Sequence, residues 1–280
     1  SGPVTYEPIW MYYGNKKAAP GQTPADAFGV NDALAYRYDE AQPKDKTAYG
    51  NNPAYSSVVM SPAGLMGPAA QFDGKANILA PSSPSLRITP ASGWTFSTWI
   101  KIDNAQNDSY VMYAEDAARN LSLRINGNAL YGRFVNGGTK AETAMTSTVT
   151  PGVWHHVGLS INNSELDVYL DGNKTASVPA SLPEMAATVT LGGAPSGANQ
   201  LVGMLDETRI ASETRTPEWF RFQVANQNVG ADDLRFGDDE SAGSGESGSY
   251  ITTIMHSLTF DGWVVIFLCG FMAVVSWIVV

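Results

Sequence analysis

Between Gly93 and Ile210 the chain is a succession of short alternating segments with no helical period between them. This restricts the fold more than any other feature. In "GWTFSTWIKI" (93–102), Trp94, Phe96, Thr98, Ile100 and Ile102 fall on one side, and Thr95, Ser97, Trp99 and Lys101 on the other. Similar runs occupy 109–114, 121–125, 129–134, 154–161, 165–170, 174–178, 188–191 and 201–210, separated by Gly, Asn, Pro and Asp. Asp171-Gly172, directly after "VYL", is a hairpin signal, because glycine tolerates positive φ. Strands of this kind predict a mainly β protein, a sandwich or jelly roll. One helix is expected after them. Thr216 caps it, Pro217 takes its first position and Glu218 favours its N-terminus, and it runs to about Asn226.

The 280 residues include 17 Lys and Arg against 27 Asp and Glu, a net charge of −10. That disfavours nucleic acid, which needs clustered cations to displace counterions. It equally disfavours adhesion to an anionic membrane surface. The single cysteine, Cys269, rules out an intrachain disulfide.

The last residues, "WVVIFLCGFMAVVSWIVV" (263–280), carry no charge. As a helix they would be ~27 Å long, close to the ~30 Å hydrocarbon thickness of a bilayer. A transmembrane helix is therefore expected over 263–280, with Trp263 and Trp277 near its ends. Ahead of it, 250–262 has the apolar spacing of an amphipathic helix lying along the membrane, and 227–249 reads as an acidic, Gly/Ser-rich linker. The acidic flank places the large domain outside by the positive-inside rule. No basic stop follows Val280, and "SGPVTYEPIWMYYGN" at the start is no signal peptide, so the sequence is expected to be a piece of a longer one. Gly270, Ala273 and Ser276 form a small-residue face suited to helix packing. The span holds no carboxylate, Lys or His, so no proton path is expected in it.

Catalytic patterns are weak. Glu165, Asp167, Tyr169 and Asp171 share one strand face, but retaining glycoside hydrolysis needs two carboxyls ~5 Å apart with distinct roles. Tyr169 stands where a second carboxylate would be needed, and no enzyme is expected. His155 and His156 are neighbours on a strand, point to opposite faces and do not readily share a metal. Glu207 and Arg209 read as a structural ion pair. Jelly rolls bind sugars through aromatic platforms, and Trp99, Tyr110, Tyr113 and Tyr131 are the candidates, although alternation alone does not say which face is wet.

Taken together, "FDG" (72–74), "GWTFSTWIKID" (93–103), "PGVWHHVGLSI" (151–161), "ELDVYLDGNK" (165–174) and "GMLDETRI" (203–210) resemble the LamG-like, concanavalin A-like jelly roll. The resemblance implies such a domain over 33–226. It also implies a rim Ca²⁺ site, with Asp73 and Asp206 matching its acidic positions. "IWMYYGNKKA" (9–18) resembles the last strand of a small β domain that often precedes such domains, which gives 1–32 as the end of a preceding domain. "GFMAVVSWIVV" (270–280) is similar to the first transmembrane helix of ExbB/TolQ-type proton-channel subunits. That resemblance implies a motor driven by proton-motive force in a bacterial inner membrane, with the large domain in the periplasm binding or spacing an envelope component. It further implies a pentameric homo-oligomer with an ExbD/TolR-like partner. The alternative is a membrane-tethered lectin or adhesion module without motor function.

Overall fold

The computed structural model describes Lys17, residues 24–227 and residues 260–279. The chain divides into two compact units, Ser1–Ala231 and Asp232–Val280.

In the first unit the strands are, in chain order, β1 (Asp32–Tyr36), β2 (Tyr55–Ser56), β3 (Val59–Ser61), β4 (Ala69–Asp73) and β5 (Ile78–Ala80). Then come the long strands β6 (Trp94–Ile102), β7 (Gln106–Glu115), β8 (Arg119–Gly127) and β9 (Ala129–Asn136), followed by the short β10 (Thr139–Glu142) and β11 (Ser147–Thr148). The series ends with β12 (His155–Ile161), β13 (Glu165–Leu170), β14 (Asn173–Pro179), β15 (Thr188–Leu191) and β16 (Val202–Ala211), and helix α1 (Pro217–Gln227) follows. The runs read from alternation all appear as strands. The short strands β1–β5, β10 and β11 were not among them, because two to five residues display too little of a period to be recognised.

These strands build two antiparallel sheets of eight. The first runs β14-β13-β12-β6-β16-β4-β3, with β1 added beside β16; the second runs β10-β9-β8-β7-β15-β5-β2, with β11 beside β9. The core lies between them. Phe96, Ile100, Val157, Leu159, Leu166 and Val168 of the first sheet and Leu121, Leu123, Leu130, Phe134 and Val189 of the second all belong to one buried cluster. At Gly132 a Cβ would lie 2.9 Å from Val168 Cγ2, so the sheets approach too closely there for a side chain. The β13–β14 hairpin turns on Asp171 (φ 48°) and Gly172 (φ 78°), the two left-handed residues that a tight two-residue turn requires.

Part of the outer face of the first sheet is covered by α1. Thr216 Oγ1 accepts a hydrogen bond from Trp219 N–H at 3.4 Å, capping the helix as expected. Phe220 is fully buried and sits over Gly158, where a Cβ would meet its ring at 2.2 Å. The missing side chain of Gly158 is thus the socket for the helix.

In the second unit the described element is α2 (Phe260–Val279). It begins inside the segment expected to lie along the membrane; the remainder of that segment, 250–259, falls outside the described residues, as do the linker from 228 and most of 1–23. Phe267, Phe271, Met272 and Trp277 are exposed, as is Cys269, and nothing lies within 4 Å of a Cβ placed on Gly270. Among the described residues no helix is long and apolar enough to cross a membrane.

Candidate functional site

The open face of the second sheet gathers the most chemistry. Core residues Met112, Leu123 and Leu130 point inward, which turns Tyr113, Ser122, Arg124, Tyr131 and Arg133 outward, and a register shift between Tyr110 and Met112 sets Tyr110 opposite Arg124 on the same face. Register then aligns them in two rows. Tyr110, Arg124 and Tyr131 face one another across β7, β8 and β9. One pleat further along, Glu142, Arg133, Ser122, Tyr113, Thr190, Leu79 and Tyr55 follow each other across the sheet from β10 to β2. Six inter-strand steps make this row ~29 Å long.

A bulge in β7 organises the first row. The register shifts between Gln106 and Ser109, and Asp108 adopts a left-handed backbone at φ 51°, which a short polar side chain tolerates. Arg124 Nε donates to Asp108 Oδ1 at 3.1 Å and its Nη2 to the Asp108 carbonyl at 3.0 Å, and Nη2 also bonds Oδ2. Its Nη1 donates to Tyr110 Oη at 2.9 Å, and the guanidinium lies 4.0 Å from the centre of the Tyr110 ring. The Tyr131 hydroxyl donates to the same Asp108 carboxylate. Burial and that hydrogen bond hold the Tyr131 phenol well above its ordinary range.

In the second row Arg133 pairs with Glu142, and its guanidinium lies 5.4 Å from the Tyr131 ring centre. Burial opposes ionisation of Glu142, but the hydrogen bond and charge of Arg133, with Lys140 nearby, outweigh it and keep the carboxyl below its usual range. Tyr110 and Tyr113 are half-buried, with ring centroids 4.7 Å apart and planes at 58°. They are the aromatic surface available to a ligand, whereas Tyr131 is only 1% exposed and acts as their support. At Glu142 the row ends beside a cleft of about 500 Å³ between β10 and residues 178–181.

Of the four aromatic candidates, the structure therefore brings Tyr110, Tyr113 and Tyr131 together and separates Trp99 from them. Trp99 is on the first sheet, 5% exposed beneath α1, and its Nε1 donates to Gln227 Oε1 at 2.7 Å. Both faces of β6 are covered, so its alternation carries no sign of which side is wet. Asp108, Arg124, Arg133 and Glu142 were not among the candidates. The pairs Ser122-x-Arg124 and Tyr131-x-Arg133, each on one strand face, were the signal that could have found the two arginines, whereas their partners Asp108 and Glu142 are set by register.

The acidic pair is not brought together. Asp73 lies opposite Val202, four positions from Asp206 along β16, a separation of ~13 Å. Asp73 Oδ1 accepts the amides of Lys75 and Ala76, a local turn. Asp206 is 1% exposed; Oδ2 accepts Leu65 N–H at 2.9 Å and Met66 N–H at 3.0 Å, and Oδ1 accepts Glu207 N–H at 2.8 Å. Burial raises the Asp206 carboxyl against the pull of these amides. Among the described residues no group of three or more His, Cys, Asp or Glu is placed to hold a metal ion. Glu207 bonds Arg209 at 3.2 Å, the expected ion pair, and Arg37 at 2.9 Å. His155 bonds Asp171 at 2.8 Å, while His156 is buried between Trp99 and Phe220. On α2, Ala273 and Ser276 are exposed like Gly270.

Comparison with known proteins agrees with this architecture. Domain 4 of AbnA, a GH43 extracellular arabinanase from Geobacillus stearothermophilus determined in complex with arabinotriose, superposes with a TM-score of 0.59 at 19% identity over 69% of this chain and 98% of that domain. The binding domain of Paraclostridial Mosquitocidal Protein 1 gives 0.58 at 16% identity, over 70% of this chain and 52% of its own. The binding domain of botulinum neurotoxin DC in complex with SialylT gives 0.57 at 11% identity, over 71% and 51%. The chain thus spans about half of the two toxin domains. At these identities the likeness is one of fold. No curated protein matches the chain. The sequence itself matches the profile of the concanavalin A-like lectin/glucanases superfamily over residues 72–221, more than half its length, and the protein belongs to that superfamily.

Proposed function

We propose that the protein is a lectin-like module that binds glycan on the open face of the second sheet. The observation that carries this reading is the pre-organised network in which Asp108 and Arg124 fix Tyr110 beside Tyr113 on an uncovered face. Half-buried tyrosines flanked by fixed polar groups suit sugars, which present apolar C–H patches and hydroxyls together. Membership of a lectin and glucanase superfamily, and a neighbour determined with arabinotriose, support it.

Binding without hydrolysis is part of the proposal. Asp167 is engaged by Lys174 at 3.1 Å, and the neighbouring Tyr169 is buried under Phe220. Of the two sequence readings, the tethered lectin is the better supported; no comparison supports an ExbB/TolQ-type motor. The tether itself rests on the uncharged run 263–280 and on the exposed apolar side chains of α2.

The test is a glycan array and affinity electrophoresis with the full chain, with Tyr113→Ala and Tyr110→Ala as controls. Binding is expected, with a loss of about tenfold or more for each variant in protein that still melts cooperatively. Wild-type binding that survives both substitutions would move the site elsewhere.

A further inference from the structure

Resting on the reading of this face as a glycan site, we propose that its ligand is an extended, uncharged polysaccharide rather than an acidic one. The outward charges of the second sheet balance. Arg124, Arg133 and Lys140 are its cations, and Asp108, Glu115 and Glu142 its carboxylates. Each cation already has a carboxylate partner: Arg124 has Asp108, Arg133 has Glu142, and Lys140 lies 3.5 Å from Glu142.

An acidic sugar is held by a guanidinium or ammonium free to form charge-assisted bonds. Arg124 is not free. It is 4% exposed and all three of its nitrogens are engaged. Recruiting it would strip Asp108 of its partner, a change that costs more than a new surface ion pair returns. The rest of the chain adds repulsion, since a net charge of −10 opposes the approach of a polyanion. Beyond Tyr113 the long row continues through Thr190, Leu79 and Tyr55 with no charge at all. Ser122 and Thr190 are buried within the row, and the groups it leaves to a ligand, half-buried Tyr113 and Leu79 and exposed Tyr55, are aromatic and apolar, which suits a chain of neutral sugars.

The experiment is affinity electrophoresis of the full chain in gels containing a neutral arabinan, a neutral β-glucan or polygalacturonate, at low and at high salt. Retardation is expected in at least one neutral gel, unchanged by salt, with none in polygalacturonate. Salt-sensitive retardation by polygalacturonate matching or exceeding that of the neutral gels would overturn the uncharged ligand and leave the glycan reading standing. No retardation by any polymer would overturn both. Glu142→Gln leaves Arg133 and Lys140 without their counter-charge, and it is expected to introduce salt-sensitive polygalacturonate retardation where the wild type shows none. An unchanged response in a folded Glu142→Gln protein would show that charge pairing does not set the preference.

Discussion

Phe220 lies face to face with Tyr169, with ring centroids 3.8 Å apart and planes 11° from parallel. This stack, closed from the side by His156 and Trp219, fastens α1 to the first sheet. It thereby decides which side of the sandwich is available. The strand face that carries Glu165, Asp167 and Tyr169 is partly roofed by the helix, while Tyr110 and Tyr113 on β7 of the second sheet stay half-buried.

Replacing Phe220 by Ala removes a fully buried ring over Gly158, where the sheet has no side chain of its own to fill the space. A loss of about 3–5 kcal/mol is expected. Denaturant melts of the full chain measure it, and a red shift of tryptophan emission should accompany it as Trp99 becomes wet. A loss under about 1 kcal/mol would mean that α1 is not held by this contact.

His156 should give the protein a pH dependence of its own. Burial holds its imidazole down at about 4, against 6.5 for a free histidine. Below 6.5 the unfolded chain takes up a proton that the folded chain refuses, so stability falls as pH drops from 6.5 to about 4 and levels off below that. The full effect is about 3 kcal/mol. Glu142, whose carboxyl is held below its ordinary range, adds its own loss only at lower pH, below the range of an unfolded glutamate. The difference between melts at pH 7 and pH 5, compared between wild type and a His156 variant, isolates the histidine from carboxylates such as Asp206, whose raised range acts in the opposite sense. His156→Leu is expected to flatten that interval, and a wild-type protein with no slope there would contradict a neutral buried His156.

Arg124→Lys keeps the charge but gives up the fork that grips Asp108 and the flat contact with Tyr110. About 1–2 kcal/mol of stability should be lost. Glycan binding should weaken as well, because Tyr110 loses the group that orients it. Binding unaffected by this substitution in a folded protein would show that Arg124 is a packing residue alone.

Asp206→Asn places an amide, which cannot accept on both sides, before the N–H groups of Leu65, Met66 and Glu207. About 1–3 kcal/mol should be lost, as for a buried donor left unpaired. Because backbone amides already fill both oxygens, adding a chelator is expected to leave the melting temperature of the wild type and of the variant unchanged. A chelator effect that vanishes in Asp206→Asn would restore a calcium role for this carboxylate.

The sequence by itself determined the long strands, the Asp171-Gly172 hairpin, the capped helix after Thr216 and the apolar α2. Each is written in local physics: a period of two, a positive φ, a hydroxyl before a proline, and an unbroken apolar run. Short strands such as β2, with two residues, exist only because a neighbouring strand offers a ladder, so no local pattern announces them.

What only the tertiary structure decided was which faces are open. Trp99 and Tyr113 look alike in sequence, each an aromatic on an alternating strand, yet one is sealed by Gln227 of α1 and the other lies half-buried on an uncovered sheet. Asp73 and Asp206 look like a pair, yet strand register sets them ~13 Å apart. Arg124 finds Asp108 because a bulge and a left-handed residue turn that carboxylate over the sheet. Alternation fixes the side of a strand on which a residue lies; packing and register between distant strands fix whether that side meets water, a helix or a partner charge.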